Sequence, residues 1–125
     1  MKTKLSLIVA QFNKHQAYDS DEYFKFLVDD SSNIPGVYLS TKDEKETLKD
    51  LFEKCLNISY DWAEVKLLDF RKHMATECEV VYCCKLFNIL NANKIGKFVS
   101  QNFSLPLDEY YEELLASRVR SRGYW

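Results

Sequence analysis

The stretch "IPGVYLSTKDEKETLKDLFEKCLNIS", residues 34–59, decides how the chain is read. A proline–glycine turn at Pro35-Gly36 leads into a short strand-like piece, "GVYLS", then a charged segment with helical spacing, then a stop at Asn57. Thr41 is the expected N-cap, and Glu44 three residues on gives Thr-Lys-Asp-Glu the form of a capping box. Leu48, Leu51, Phe52, Cys55 and Leu56 recur at three- and four-residue steps, which marks the face turned to a core. Glu46, Asp50 and Glu53 fall on the opposite side at the same spacing. Asn57 is expected to take the left-handed conformation that closes a helix.

Outward from this helix the flanks read as strands. "MKTKLSLIVAQF" alternates and is rich in β-branched residues, which suits an opening strand. After the polar connection "NKHQAYDSDE", the segment "EYFKFLVDD" reads as a second strand closed by the turn "DDSSN". Beyond the helix, "WAEVKLLDFRKH" is a strand, and "ATECEVVYCCKLFNIL" is the clearest strand of all. Its apolar run is nearly unbroken, as expected for a strand covered on both faces. "NANKIGKFVSQNFSL" is a loop or a short edge strand. "PLDEYYEELLASRVRSR" is a closing helix with Asp108 as cap and Tyr111, Leu114, Leu115 and Val119 facing inward. Strand, strand, helix, strands, helix gives an α/β (α+β) layered domain, taken as one unit over residues 1–125.

Composition narrows the function classes. Hydrophobic residues make up 46% of the 125 residues and aromatics 14%, enough for a real core. A net charge of −2 gives no electrostatic reason to expect nucleic acid as the main partner. The apolar run at residues 5–10 is too short for a signal-peptide core or a bilayer span, so a soluble, cytoplasmic protein is expected and no membrane. Cys55, Cys78, Cys83 and Cys84 form no Cys-x-x-Cys pair. Adjacent Cys83 and Cys84 would point to opposite faces of a strand, so apolar thiols in a reduced interior are expected rather than a zinc site.

Residues 35–58 resemble a degenerate Nudix box, the hallmark of the Nudix hydrolase family, whose pattern is G-x5-E-x7-R-E-U-x-E-E-x-G-U with U a bulky apolar residue. The strand pair before the segment and "ECEVVYCCKLF" after it occupy the places of core strands in that family. The resemblance implies an α/β/α sandwich around a mixed sheet. It also implies a nucleoside diphosphate derivative as ligand and Mg2+ as cofactor. Divalent cations neutralise a diphosphate and acidify the attacking water, and glutamates at one-turn spacing are hard oxygen ligands for magnesium.

The pattern is broken in two alternative registers. With one loop residue removed, Asp50 takes the arginine position and Leu51, Lys54 and Cys55 take the glutamate positions. With two removed, Lys49 stands for arginine, Asp50 and Glu53 for two glutamates, and Lys54 for the last. The second register makes Asp50 and Glu53 the candidate catalytic and metal-binding residues. Pro35, Gly36, Tyr38 and Glu46 are the candidate ligand contacts. An ammonium within about 5 Å of a bound cation costs on the order of a kcal/mol or more, so Mg2+-dependent hydrolysis is expected to be weak or lost. The alternatives are an active hydrolase using Asp50 and Glu53, or a protein-interaction module on the same fold.

Glu46, Asp50 and Glu53 could be a solvated face paired with neighbouring lysines. Tyr38, Tyr60 and Trp62 could stack on a base, or pack at element edges. His15 and His73 read as surface histidines. Glu77 or Glu79 could supply a base from outside the box, although carboxylates at strand starts are usually solvated. Arg118, Arg120 and Arg122 read as a frayed basic end. The closing Gly-Tyr-Trp would fold back on the domain or dock on another subunit, which leaves a homodimer or protein partner open.

Overall fold

A computed structural model describes residues 2–60, 65–89, 91–101 and 107–120, without the side chains of residues 73 and 74. The elements are β1 (Lys2–Phe12), β2 (Phe24–Val28), β3 (Gly36–Tyr38), α1 (Glu44–Cys55), β4 (Val65–Met74), β5 (Glu77–Phe87), β6 (Lys97–Val99) and α2 (Glu109–Leu114). The expected mixed α/β architecture is the one observed. Trp62, Pro106, Arg122 and the Gly-Tyr-Trp end lie outside the described residues, as does the side chain of His73.

Strand β1 is the spine of the sheet. It pairs in parallel with β5 along its whole length, from Lys2 opposite Glu77 to Phe12 opposite Phe87. Its other edge carries two antiparallel strands in succession: β3 against Lys4 to Ser6 and β2 against Ala10 to Phe12. The sheet runs β4-β5-β1-β2-β6, with β3 as an extra partner of β1. The segment read as a loop or edge strand forms β6, paired with β2.

Alternation along β1 separates two apolar layers. Leu5, Leu7 and Val9 pack with Leu48, Leu51, Phe52, Cys55 and Leu56 beneath α1. Ile8, Ala10 and Phe12 pack on the other face with Tyr111, Leu114, Leu115 and Val119. Cys83 joins the second layer and Cys84 the first, and all four cysteines are free and buried. A helix of α1's length is marginal alone in water. Burying Leu48, Leu51 and Phe52, at roughly 1.5–3 kcal/mol for each fully buried side chain, is what holds it.

Four details differ from expectation. The cap of α1 is Asp43 rather than Thr41: its carboxylate accepts the Glu46 N–H at 2.8 Å, and Thr41 lies outside the helix. Asp serves here because its short carboxylate reaches back to an unpaired first-turn N–H. At the other end Leu56, in extended conformation, donates its N–H to Phe52 O. Asn57, absent from the left-handed residues, gives its N–H to Ala92 O and its amide to Asn91 O at 3.0 Å. Tertiary partners replace the local cap. The closing helix is α-helical only over α2 and continues as a π-turn, Leu115–Val119, in which Arg120 N–H reaches back to Leu115 O at 3.0 Å. Asp108 caps α2 as expected, through Tyr110 N–H. Arg118 and Arg120 are tied down rather than frayed. Arg120 binds Gln101 Oε1 at 2.8 Å and Tyr18 O at 2.7 Å, and Arg118 lies 3.6 Å from Asp69.

Among the described residues no helix is long and apolar enough to cross a membrane.

Candidate ligand site beside the Gly36 turn

The turn before β3 is built by Asp29, whose carboxylate accepts the N–H groups of Ser31 at 2.9 Å and Asn33 at 3.0 Å. Ser32 takes a left-handed conformation, φ 64°, within it. The chain then locks onto β1 through Leu7 N–H to Pro35 O and Leu39 N–H to Thr3 O. Gly36 lies opposite Ser6, so close that an added Cβ would stand 2.7 Å from Lys4 Cε and 3.1 Å from Leu5 O. All three residues of β3 are exposed.

Helix α1 meets this turn along one line of side chains. Leu51, Lys54 and Cys55 line a cavity of about 240 Å³ together with Pro35, Gly36, Asp29 and Asp30. These three are the residues that the one-residue-shorter register sets at the glutamate positions. A second cavity, about 280 Å³, opens between β3 and α1. Val37, Tyr38, Ser40, Lys42, Thr47, Asp50, Leu51 and Lys54 line it.

Asp50 borders the second cavity, its carboxylate 2.6 Å from Lys42 Nζ in a pair roughly half exposed on both sides. A hydrogen bond from Lys42, reinforced by the opposite charge, holds the lysine's pKa above its ordinary value. Glu53 points to solvent, 4.0 Å from Lys49. Glu46 is exposed in the first turn. Neither Glu46 nor Glu53 lines the two cavities. Pro35 and Gly36 line the first, and Tyr38 the second. Tyr38 is 49% exposed and donates its hydroxyl to Glu77 Oε1 at 2.6 Å, which raises the phenol's pKa. Tyr60 packs edge-on against Phe52 inside the α1 layer. His15 stays at the surface of its connection.

Charge distinguishes the two cavities. The one beside the turn sets two carboxylates against one lysine, while the one beside Tyr38 sets two lysines against one carboxylate. Among the described residues no group of three or more His, Cys, Asp or Glu is placed to hold a metal ion.

On the other face of Gly36 the structure holds a constellation that the strand-start reading of Glu79 missed. Glu79 is 2% exposed rather than solvated. It accepts hydrogen bonds from Ser6 Oγ at 2.5 Å, from the Tyr111 hydroxyl, and from Arg71 Nε at 2.7 Å. Arg71 also reaches Asp108 at 3.2 Å and lies over the Tyr110 ring, 3.9 Å from its centroid. Burial would push the Glu79 carboxyl up, but the Ser6, Tyr111 and Arg71 donors outweigh it and hold the group below the usual carboxylate range. The signal in the sequence was parity: Glu79 shares a strand face with Val81 and Cys83, which pack under α2. A cavity of about 370 Å³ bordered by Lys4, Asn33, Gly36, Arg71 and Tyr111 adjoins this network.

No protein-family model and no curated protein sequence matches the chain. Solved structures do match. A C. elegans Ap4A hydrolase, crystallised as a binary complex, superposes with a TM-score of 0.64 over 93% of both chains at 11% identity. A chain in the complex between the C-terminal domain of mouse MUTYH and human PCNA gives a TM-score of 0.57 at 12% identity, over 80% of this chain and 73% of that one. At these identities what is shared is the fold. The mixed six-stranded sheet, with the Gly36 turn and α1 on one face and α2 on the other, is therefore a Nudix-like fold.

Proposed function

We propose that the domain binds a nucleoside-diphosphate-type ligand in the cleft between β3 and α1, with Mg2+-dependent hydrolysis weak or lost. The observation that carries this is the cavity of about 280 Å³ that has Lys42 and Lys54 in its lining and the half-exposed Tyr38 at its margin, the tyrosine hydroxyl being held by Glu77. An aromatic face accepts a nucleobase of any identity, and ammonium groups donate hydrogen bonds to phosphate oxygens. Pro35 and Gly36 line the neighbouring cavity, and the missing side chain of Gly36 lets β3 pack close against Lys4 and Ser6 of β1.

The chemistry of the donor set argues against a resident magnesium ion. Mg2+ needs near-octahedral oxygen ligation and is usually taken by one or two free carboxylates. Asp50 is engaged by Lys42, Glu53 points away beside Lys49, and Lys54 brings positive charge to the same cleft. Leu51 and Cys55, on the helix line that meets the turn, supply no hard oxygen.

Thermal shift with ADP-ribose, NADH and nucleotides, each with and without Mg2+, tests the proposal. Stabilisation by one of these without turnover is the expected result. Phosphate release that disappears in an Asp50→Ala, Glu53→Ala double variant would instead establish an active hydrolase. No shift with any ligand would refute ligand binding and favour an interaction module.

A further inference from the structure

We infer that Lys54 supplies the positive charge a diphosphate needs in this cleft, so that the ligand is taken up without a divalent cation; this rests on the ligand reading above. Lys54 borders both cavities beside Gly36, so one flexible stem brings its ammonium to either side of the turn. The carboxylates of the outer helix side do not consume it. Asp50 pairs with Lys42 at 2.6 Å and Glu53 approaches Lys49 at 4.0 Å. Lys54 is also in the last turn of α1, where carbonyl ends favour a cation.

Local charge selects where the ligand lies. On the Gly36 side Asp29 and Asp30 repel phosphate, whereas on the Tyr38 side Lys42 and Lys54 outnumber Asp50. The diphosphate therefore sits toward Tyr38, between the two lysines, and its oxygens compete with Asp50 for the Lys42 ammonium. A divalent cation added to this cleft would meet Lys54 at close range, with only Asp50 among the lining residues as a carboxylate. A cation carried on the side chain has thus replaced one borrowed from solution.

Isothermal titration of the whole chain with ADP-ribose and with inorganic pyrophosphate, in EDTA and again in Mg2+, tests this. The wild type is expected to bind in EDTA. Lys54→Met weakens binding about tenfold or more, the worth of one charge-assisted contact. Lys54→Glu abolishes binding in EDTA. Lys45→Met, at an exposed lysine of the same helix that lines neither cavity, leaves it unchanged. Lys54 is at the surface, so its variants keep the fold, which their melting temperatures confirm. Binding that requires Mg2+, or a Lys54→Met variant as tight as wild type, overturns the inference while leaving the ligand reading intact. No binding of either probe under either condition removes both.

Discussion

Replacing Arg71 by methionine probes the buried network behind Gly36. The change leaves the Glu79 carboxylate, 2% exposed, with only the Ser6 and Tyr111 hydroxyls as donors. Breaking a buried ion pair from one side costs about 3–5 kcal/mol, because the remaining charge is stranded in a low dielectric. Two hydroxyl donors survive and the Arg71 side chain is 22% exposed, which places the cost near the lower end, about 3 kcal/mol. For a chain of this length that lowers Tm by about 12 °C. Glu79→Gln, which keeps shape and loses charge, costs about 1.5–3 kcal/mol. Combining the two removes the stranded charge, so the double variant costs less than the sum by at least about 1 kcal/mol. Urea unfolding of the four proteins at pH 7 measures the cycle. The pH dependence supplies an independent sign. Glu79 has its folded pKa held down, so its contribution is present above the unfolded value, about 4.3, and fades as pH falls through the folded one. The gap between wild type and Arg71→Met is therefore full at pH 7 and narrows below about pH 4. An Arg71→Met cost under about 1 kcal/mol, or single costs that add within about 0.5 kcal/mol, would refute the network as described.

Three further outcomes are expected. Gly96→Ala destabilises by more than about 2 kcal/mol, because Gly96 has φ +59° and the new Cβ would fall 1.7 Å from Val28 O; Gly36→Ala costs less, since its nearest clash is the flexible end of Lys4, and thermal melts separate them. Asp43→Ala loses about 1 kcal/mol of stability in urea while Thr41→Ala stays within about 0.5 kcal/mol, the reverse ranking restoring Thr41 as the cap. In native protein Cys55, Cys83 and Cys84 react with a thiol reagent far more slowly than in urea, because burial pushes Cys55 up to about 11, Cys83 up to about 12 and Cys84 higher still; native labelling as fast as unfolded labelling would contradict their burial.

Burial of backbone and side chains explains why some residues were legible and others not. The period of two in β1 and of three to four in α1 follows from which side chains must leave water, and the two apolar layers appear where those periods put them. A lone carboxylate at a strand start is usually solvated, whereas Glu79 is buried. Its partners are Ser6, Arg71 and Tyr111, from three different elements, and no window of sequence contains them together. Asn57 failed as a local cap for the same reason: the loop at Asn91 and Ala92 offered it carbonyls from far along the chain.

By itself the sequence determined the element order, the faces of α1 and the layered α/β class, since local periodicity and turn chemistry depend only on neighbours along the chain. Which helix residues meet Gly36 depended on how α1 docks on β1 and β3. That docking is set by the burial of Leu48, Leu51 and Phe52, and it brings Leu51, Lys54 and Cys55 to the turn, while Asp50 lies against Lys42 and Glu53 beside Lys49. A one-residue change in loop length before the helix rotates every side chain by about 100°, the helical step. Only the packed tertiary structure fixes that rotation, and with it the charge of the cleft.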